Sequence, residues 1–379
     1  MDNYILNIYL DRKLEIVKGK GCWLYDKNNK KYLDMMSNYG VNILGYGHKK
    51  ITKTVKDQAE TLVNLHNSFS NPIRNLLAKE LIKKSKIKGK VIFLNSGSEA
   101  VEAALKFALV STNKKRVIAF ENSYHGKTLG ALSLTYEEKY KKGLEDFLIK
   151  VNFVKFNDID SFKKALNNEV GIVIIEPIQG DGGINLAFKD FLKEVYFLCK
   201  ENNIILIIDE VQTGFGRTGK LFCHNWYNIK PDILCLGKGT AAGFPLSIVI
   251  VKDEISKKIP KFLHTSTFGG NIVACRVCLE ILRLLNERFL NSVLKKGIYL
   301  KKKLSEIKHP LIKEIRGKGL MIGIEVTDKR SEILKLLQEN NVLAIPAGEK
   351  VIRLLPPLII SKKEIAFFIS RFKKVLKNV

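Results

Sequence analysis

The sequence predicts an α/β fold in which helices cover a mostly parallel sheet, with a smaller α+β domain attached. Short apolar runs alternate with segments of helical spacing through the middle of the chain. The runs are nearly continuous, as strands are when helices bury both faces of a parallel sheet. With 379 residues, the chain is long enough to form two unequal domains.

The N-terminal part is expected to form a helix and then a small hairpin, with the polar run "DKNNKK" as its turn. We place residues 1–45 with the small domain and residues 46–270 in the large domain. Residues 271–379 are expected to form a linking helix and the C-terminal small domain. These boundaries bracket the region in which predicted strands and helices alternate.

The large domain is predicted to contain seven buried strands. A helix, "SEAVEAALKFALV", follows the first strand, and a second helix, "AFKDFLKEVYFLCKENN", separates two later ones. Apolar residues recur in both segments at helical spacing. The predicted strands are "KVIFL", "RVIAF", "VNFVKF", "GIVII", "IILII", "DILCL" and "LSIVIV".

The C-terminal part is predicted to begin with a long helical pattern, from about Ile272 to Ile307. Strands are expected in "GKGLMIGIEVTD" and "KVIRLLPPLII". The last segment opens with Ser361 and, three residues later, Glu364, which is the spacing of a capping box. It therefore predicts a terminal helix.

The charge of the chain is strongly basic. Lysine and arginine number 64 against 38 aspartates and glutamates, a formal net charge of +26. Such a field favours acidic partners, whether nucleic acid, anionic metabolites or an acidic protein. The basic residues are spread along the chain and aromatic residues are not interleaved with them, so specific nucleic-acid binding is not predicted. A lysine-rich, solvated surface accounts for the charge equally well.

Neither a membrane segment nor a metal site is predicted. No apolar run approaches the roughly 18 residues of a membrane span, and the first residues lack the apolar core of a signal peptide. We therefore expect a soluble, cytoplasmic protein. Of six cysteines, only Cys275 and Cys278 have the spacing of a metal or redox pair. No second pair accompanies them, so they are expected to pack in a helix core.

Polar residues and glycines follow the predicted strands where each one ends. In an open parallel sheet, ligands bind at the carboxyl ends of the strands, so these residues are the candidates for a site. Ser96, Gly97 and Ser98 stand just before a helix, whose free amide groups and dipole favour an anion. The other strand-end candidates are Tyr124, His125, Glu176, Gln179, Asp181, Asp209, Gln212 and Lys238.

Lys238 follows the buried strand "DILCL" in a glycine-flanked loop and is expected to start in the core. Partial burial lowers the pKa of a lysine and makes its amine a nucleophile. A phosphate cradle, a buried carboxylate at Asp209 and a nucleophilic lysine together indicate a pyridoxal phosphate site. There the lysine forms a Schiff base and the carboxylate pairs with the pyridinium nitrogen. Glu210 points the opposite way by strand alternation and is expected to be structural.

The loop from Gly214 to Gly219 matches the pattern G-x-G-x-x-G after a strand. The dinucleotide fingerprint requires a helix that begins within the glycines. Here "KLFCHNWYNIKPD" follows, without helical spacing and with a proline. A nicotinamide site is therefore not predicted, and the glycines are expected to form a tight turn at the wall of the site.

An ordered set of motifs resembles that of the class III pyridoxal-phosphate aminotransferases, which have the fold type I architecture. The resemblance covers nearly the whole chain. Within the class, the chain is most similar to the acetylornithine aminotransferases and to the enzymes that act on intermediates bound to the amino-group carrier protein LysW. The motifs are "NSGSEAVEAALK", "YHGKTLGALS", "EPIQGDGG", "IIDEVQTGFGRTG", "GKG", "STFGGN" and "IRLLPP".

The resemblance implies roles for residues at the matching positions. Lys238 would form the Schiff base and carry the proton between Cα and the cofactor, and Asp209 would keep the pyridine nitrogen protonated. Thr267 would reach the phosphate of the neighbouring subunit, so the expected active unit is a homodimer. Ser266, in the same motif, is expected to bind substrate. Further cofactor contacts are expected from Ser96, Gly97, Ser98, Tyr124, His125, Glu176, Val211 and Gln212.

The resemblance also implies that two substrates share the site. Arg353 would clamp the α-carboxylate of glutamate, a task that suits a bidentate guanidinium. Asp181, where the family more often has glutamate, would pair with this arginine when the ω-amino substrate is bound. Lys127 stands where acetylornithine aminotransferases have an arginine for the carboxylate of the blocked substrate. The lysine ammonium is a point charge and cannot form the two parallel hydrogen bonds with which a guanidinium binds a carboxylate.

We therefore expect an aminotransferase that moves the ω-amino group between an α-N-blocked lysine or ornithine and 2-oxoglutarate, in lysine or arginine biosynthesis. The blocking group would be LysW or acetyl. A positive rim would speed association with an acidic carrier protein. The alternative is an ornithine or 4-aminobutyrate aminotransferase that acts on free ω-amino acids.

Overall fold

The computed structural model describes residues 4–379 of the chain. In chain order, its strands are β1 (Ile16–Lys20), β2 (Trp23–Asp26), β3 (Lys31–Asp34), β4 (Gly89–Leu94), β5 (Arg116–Phe120), β6 (Val151–Val154), β7 (Val170–Ile175), β8 (Ile178–Gln179), β9 (Asn185–Leu186), β10 (Ile205–Glu210), β11 (Ile233–Leu236), β12 (Ser247–Lys252), β13 (Ile312–Lys318), β14 (Met321–Val326), β15 (Val342–Leu343), β16 (Ile345–Ala347) and β17 (Val351–Leu354).

The helices are interspersed with these strands as the sequence predicts for the middle of the chain. They are α1 (Ser37–Gly40), α2 (Lys49–Ala59), α3 (Pro72–Ser85), α4 (Gly97–Ser111), α5 (Leu129–Leu134), α6 (Ile159–Ala165), α7 (Lys189–Glu201), α8 (Asp253–Ser256), α9 (Ile272–Leu284), α10 (Glu287–Ser305), α11 (Arg330–Glu339) and α12 (Lys362–Leu376). Short 3-10 helices cover Glu138–Tyr140, Glu145–Phe147 and Cys223–Trp226.

A seven-stranded sheet forms the centre of the molecule, in the order β4-β12-β11-β10-β7-β5-β6. Strand β12 runs antiparallel to both of its neighbours, and the remaining pairs are parallel. All seven predicted strands lie in this sheet, so the predicted α/β fold with a mostly parallel sheet is confirmed. Strand β10 lies between β11 and β7 with every residue buried, and it ends in Asp209 and Glu210.

Helices bury both faces of this sheet. On one face, Ala100 and Ala104 of α4 belong to the same apolar cluster as Ile207 of β10. On the other face, Leu192 of α7 shares a cluster with Leu206. Full burial of an aliphatic side chain stabilises the fold by about 1.5–3 kcal/mol relative to its exposure. The sheet is therefore a rigid base, from whose edge the strand-end loops project.

The smaller part of the molecule combines residues from both ends of the chain. Strands β1, β2, β3 and β15 form one sheet, in which β15 pairs in parallel with β3. A second sheet has the order β13-β14-β17-β16. Helix α12 begins with the predicted capping box, in which Ser361 accepts from the amide of Glu364 and the Glu364 carboxylate accepts from the amide of Ser361. The division at residues 45 and 270 stays a prediction.

The predicted N-terminal helix is wrong for residues 4–15, where the structure shows no helix; residues 1–3 lie outside the described residues. A helix is stabilised mainly by packing of its apolar face. Here the apolar side chains of Tyr4, Leu6 and Ile8 are 98%, 79% and 74% exposed. The predicted hairpin does form, from β2 and β3, with its turn in "DKNNKK".

The predicted long helix between Ile272 and Ile307 is interrupted. Helix α9 ends at Leu284 and α10 begins at Glu287, because Asn286 caps the second helix. Its side-chain oxygen accepts a hydrogen bond from the amide of Phe289 at 2.9 Å. Asparagine competes for backbone donors in this way at helix starts, and continuous apolar spacing on either side conceals the break.

The helix α9 carries both closely spaced cysteines on its buried side. Cys275 and Cys278 are fully buried, and burial raises the pKa of the Cys275 thiol to about 12. The two residues therefore pack as small apolar side chains, as expected. Between residues 4 and 379, no helix combines the length and apolar character that crossing a membrane requires.

Candidate active site

The carboxyl ends of the central strands meet at one edge of the sheet and enclose a cavity. Loops that follow β4, β5, β7, β10 and β11 form its wall. Gln179, by contrast, turns away and donates a hydrogen bond to the carbonyl of Glu121 at 2.6 Å. The cavity is lined by Ser96, Gly97, Ser98, Tyr124, His125, Gly126, Glu176, Asp181, Asp209, Val211, Gln212 and Lys238.

The N-terminus of α4 forms one end of the cavity. Ser96 caps the helix and accepts a hydrogen bond from the amide of Glu99 at 3.3 Å. A Cβ atom on Gly97 would stand 2.6 Å from Cγ1 of Val211, so only glycine fits between the helix and that side chain. The unpaired amide groups of the first turn and the helix dipole favour an anion such as a phosphate at this point.

Asp209 lies in the cavity at the end of β10 and is 5% exposed. Its Oδ2 lies 2.8 Å from Nδ1 of His125, and its Oδ1 accepts a hydrogen bond from the amide of Val211 at 2.9 Å. The amide of His125 donates to Oγ1 of Thr135 at 2.9 Å, which holds the backbone that carries the imidazole. A buried carboxylate held in this way is suited to keep a proton on a heterocyclic nitrogen in the cavity.

Glu210, the next residue, faces the other side of the strand and is fully buried. Its Oε1 accepts a hydrogen bond from the amide of His224 at 2.7 Å and lies 2.7 Å from Nδ1 of the same histidine. Its other oxygen accepts from the amide of Cys223. Glu210 therefore fixes the backbone behind the cavity, which agrees with the structural role expected from strand alternation.

Lys238 follows β11 and is half-buried, with its backbone in the left-handed region at a φ of 48°. Burial lowers the pKa of the Lys238 amine, and the nearby Arg353 guanidinium lowers it further. The carboxylates of Asp209, Glu176 and Asp181 act in the opposite direction, but the net shift is downward. A lower pKa populates the neutral amine, which is the nucleophilic form.

Glu176 joins two loops of the cavity wall. Its Oε1 accepts a hydrogen bond from the amide of Tyr124 and its Oε2 accepts one from the amide of Gly180, both at 3.0 Å. Burial raises the pKa of Glu176 to about 7, and the negative charge of Asp209 acts in the same direction. The residue thereby fixes the Tyr124 backbone beside the cavity.

Arg353 and Asp181 form an ion pair between the two parts of the molecule. Nη2 of Arg353, on β17, lies 3.2 Å from Oδ1 of Asp181, and Nη1 lies 3.4 Å from Oε1 of Gln212. The arginine side chain is 2% exposed, whereas that of the aspartate is 35% exposed. Nε of Arg353 is buried with no hydrogen-bond partner among the described residues. The shorter aspartate thus reaches the arginine and pairs with one side of its guanidinium.

Lys127 lies outside the cavity lining, beside Tyr140. Its Nζ stands 4.1 Å from the centroid of the Tyr140 ring, a cation–π distance. The Tyr140 ring in turn makes an edge contact with Tyr124, with 6.1 Å between centroids. The amide of Lys127 donates to Oγ of Ser98 at 3.3 Å. The lysine is therefore tied to the cavity through its backbone and through two aromatic rings.

Ser266 and Thr267 do not line the cavity of their own chain. Oγ of Ser266 accepts hydrogen bonds from Nδ2 of Asn95 and from the amide of Gly269, both at 3.1 Å. The side chain of Thr267 is exposed. Its contribution to a neighbouring subunit stays a prediction.

The turn from Ser37 to Gly40, α1, is a wall of the site that motif reading missed. A Cβ atom on Gly40 would stand 3.9 Å from Cγ of Gln212 and 4.0 Å from Cδ of Lys238. The ring of Tyr39 lies 6.0 Å from Cζ of Arg353. The pairing of β3 with the distant strand β15 brings this turn to the site. The local sequence, a glycine after polar residues, predicts a turn but not its place beside the cavity.

Comparison with known proteins agrees with this geometry. The family model described as aminotransferase class-III matches residues 9–376. An acetylornithine aminotransferase from Aquifex aeolicus is 42% identical over 98% of this chain and 100% of its own. A LysW-aminoadipate semialdehyde/glutamate semialdehyde transaminase from Sulfurisphaera tokodaii is 41% identical over 95% of this chain and 94% of its own.

Solved structures give the same result. An ornithine aminotransferase from Toxoplasma gondii, described with partial occupancy of pyridoxal phosphate at its active site, superposes with a TM-score of 0.94 at 31% identity. The match covers 100% of this chain and 92% of that one. An N-acetylornithine aminotransferase from Stenotrophomonas maltophilia has a TM-score of 0.85 at 28% identity, over 98% of this chain and 97% of its own.

Proposed function

This chain belongs to the class III aminotransferases, and we propose that it moves the ω-amino group between an α-N-blocked lysine or ornithine and 2-oxoglutarate. As an aminotransferase of this class, it depends on pyridoxal phosphate. The proposal for the substrates rests above all on the ion pair between Arg353 and Asp181, with its one unpaired guanidinium donor. A site that receives both a dicarboxylate and an ω-amine needs an arginine that can be exposed or neutralised.

The residues of the cavity fit pyridoxal phosphate. The N-terminus of α4, where only Gly97 fits, would hold the phosphate. Asp209 would keep a proton on the ring nitrogen. The lowered pKa of Lys238 provides a nucleophilic amine. When bound, the cofactor supplies an electron sink that stabilises negative charge at the substrate carbon. The side chain of Val211 lies against the helix start and would contact one face of the ring, with Tyr124 on the wall nearby.

The roles of the chain's own groups follow from their positions. The amine of Lys238 would take the proton from the substrate carbon and return it to the acceptor, since no other half-buried amine lines the cavity among the described residues. Arg353 would bind the α-carboxylate of glutamate through the guanidinium nitrogens that otherwise face Asp181 and Gln212. With an ω-amino substrate, the ion pair with Asp181 would stay closed and neutralise the charge.

The blocking group is proposed from the relatives and from the charge. Relatives of about equal identity are named for acetylornithine and for LysW-linked semialdehydes. The net charge of +26 favours an acidic carrier, which a basic surface attracts over a distance of about 8 Å at physiological salt. Lys127, which lies beside the cavity on Tyr140, would bind the carboxylate of the blocked end.

A comparison of substrates at two salt concentrations tests this function. The expected kcat/KM is highest for carrier-linked lysine, lower for acetyllysine and acetylornithine, and lowest for free ornithine. Screening should lower the carrier value by about tenfold between low and high salt and leave the acetylated substrates nearly unchanged. Equal use of free and blocked amines would contradict the proposal.

Free ornithine is the second candidate substrate, because a relative and one residue of this chain favour it. An ornithine aminotransferase from a Geobacillus strain is 37% identical over 100% of this chain and 97% of its own. Lys127 also lacks the fork of an arginine, which loosens selection of a blocked carboxylate. A preference for free ornithine in the same assay would establish this alternative.

The proposed active unit is a homodimer. Exposed aromatic side chains support it, because Phe262 and Phe268 are 91% and 62% exposed on the segment that also carries Thr267. Apolar surface of this kind marks interfaces between proteins. Sedimentation of the holoenzyme should give a mass that is twice the 43.0 kDa of a single chain. A monomer that retains full activity would contradict a role for Thr267 in the neighbouring site.

A further inference from the structure

The loop from Gly214 to Gly219, whose glycines resemble a nucleotide fingerprint, packs against α10. Gly216 and Gly219 have φ values of 85° and 87°, in the left-handed region. A Cβ atom on Gly216 would stand 2.9 Å from Cδ2 of Leu290, and one on Gly219 would stand 3.0 Å from Cβ of Leu294. Close packing thus accounts for these glycines, but it leaves the arginine between them, Arg217, without a role.

Arg217 is one of the largest fully buried side chains, at 1% exposed. Its Nη1 donates hydrogen bonds to the carbonyl of Leu320 at 3.0 Å and to that of Pro356 at 2.5 Å. Its Nη2 donates to Oγ of Ser37 at 3.2 Å. The three acceptors lie in three separate segments, namely the turn between β13 and β14, the chain just after β17, and the Ser37–Gly40 turn.

No carboxylate forms an ion pair with Arg217 in the part of the chain that the structure describes. Burial lowers the pKa of Arg217 to about 9, and the negative charge of Asp34 opposes this shift only in part. A buried cation whose hydrogen-bond acceptors are all neutral oxygens is costly to desolvate. The bonds that it makes offset this cost only if the three segments stay in place around it. The Arg217 side chain therefore holds the three segments in fixed positions relative to one another.

The Ser37–Gly40 turn needs such support. Ser37, Asn38 and Tyr39 have φ values of 38°, 51° and 59°, a run of left-handed residues that side chains disfavour. On one side, Oδ1 of Asp34 accepts from the amide of Ser37 at 2.8 Å. On the other, Oγ of Ser37 accepts from Arg217 and donates to the carbonyl of Leu355 at 2.6 Å.

Two of the three segments that Arg217 connects, the chain after β17 and the Ser37–Gly40 turn, carry groups of the glutamate subsite. Pro356 is three residues beyond Arg353, on the same stretch that leaves β17. The turn carries Tyr39 over the Arg353 guanidinium and Gly40 against Lys238. Displacements of about 1 Å in such groups can cost two orders of magnitude in rate.

We propose that Arg217 is a positioning residue for the glutamate half of the reaction, because its three hydrogen bonds fix Arg353 and Tyr39 relative to Lys238. This inference rests on the proposed role of Arg353 as the clamp for the α-carboxylate of glutamate. An ω-amino substrate keeps Arg353 paired with Asp181 and depends less on the exact place of that guanidinium. Loss of the three bonds should therefore raise the KM for glutamate selectively.

The test compares Arg217→Met, which keeps the length of the side chain, with Ser37→Ala, which removes one link of the chain of bonds. We expect Arg217→Met to raise the KM for glutamate by about 10- to 100-fold, with a change below about threefold for the blocked amine. Ser37→Ala should raise the KM for glutamate by about threefold to tenfold. Ser37→Ala keeps the test available if Arg217→Met does not fold.

Thr218→Val is the matched control, since Thr218 is a buried neighbour whose hydroxyl accepts a bond from Trp226 at 3.3 Å. It should lower Tm without changing the ratio of the two KM values. If Arg217→Met and Ser37→Ala also lower only Tm, the inference is overturned and the role is structural. If Arg353→Gln leaves the KM for glutamate unchanged, the proposed role of Arg353 as the glutamate clamp is wrong. The inference about Arg217, which rests on that role, is then wrong as well.

Discussion

Replacing Lys238 with alanine is expected to lower kcat by at least about 10⁴-fold, because one amine serves as both nucleophile and proton carrier. The structure supports this expectation through the position of the amine in the cavity and the direction of its pKa. The variant should also lose the visible absorbance that covalent attachment of the cofactor produces. Turnover and absorbance spectra of the purified holoenzyme measure both effects.

A matched control for Lys238→Ala is Lys252→Ala. Lys252 ends β12 in the same sheet, and its amine pairs with Asp232 and Glu254 away from the cavity. This control should retain turnover and colour. If the Lys238 variant remained coloured and active, the assignment of the lysine would be wrong.

Replacing Arg353 with glutamine is expected to lower kcat/KM for glutamate by about 100- to 1000-fold, since loss of a buried charged partner costs some 2–5 kcal/mol. The effect on the blocked amine should stay within about tenfold, because that substrate does not use the guanidinium as its clamp. Steady-state kinetics in each direction give the two values.

Arg353→Lys separates the effect of the positive charge from that of bidentate hydrogen bonding. It keeps the cation but offers no bidentate geometry, so its kcat/KM for glutamate should lie between the wild-type value and that of the glutamine variant. Equal losses for glutamate and for the blocked amine, in either variant, would show that Arg353 supports the fold and does not select a substrate.

The sequence predicts much of this site because its residues follow strands whose patterns are local. The run Ile205–Ile208 is continuously apolar, and Asp209 follows it directly. The start of α4 after β4 and the loop with Lys238 after β11 are read in the same way. Parallel strands then bring these ends together without further information.

The parts that the sequence does not predict depend on contacts between distant segments. Tyr39 reaches the site because β3 pairs with β15, some 300 residues later in the chain. Arg217 has its role through three segments that no local pattern connects. An N-terminal helix is predicted from the sequence, but the apolar side chains from Tyr4 to Leu10 remain exposed, so no packed face stabilises a helix there.

The shorter acid at Asp181 illustrates the same limit. From sequence alone, a side chain one methylene shorter than glutamate puts the pair with Arg353 in doubt. In the structure, the amide of Gly348 donates to the carbonyl of Asp181 at 2.6 Å, so the smaller part of the molecule holds this loop close. The carboxylate then reaches the guanidinium at 3.2 Å.

The most direct test of the central claim, that one site serves both glutamate and a blocked ω-amine, is a single-turnover experiment with isotope-labelled glutamate nitrogen. Holoenzyme with glutamate alone should release one equivalent of 2-oxoglutarate per site and then stop. Addition of the semialdehyde of acetylornithine should restart release and place the label on the ω-nitrogen of the product. Release of 2-oxoglutarate without transfer of the label, or no release at all, would contradict the account.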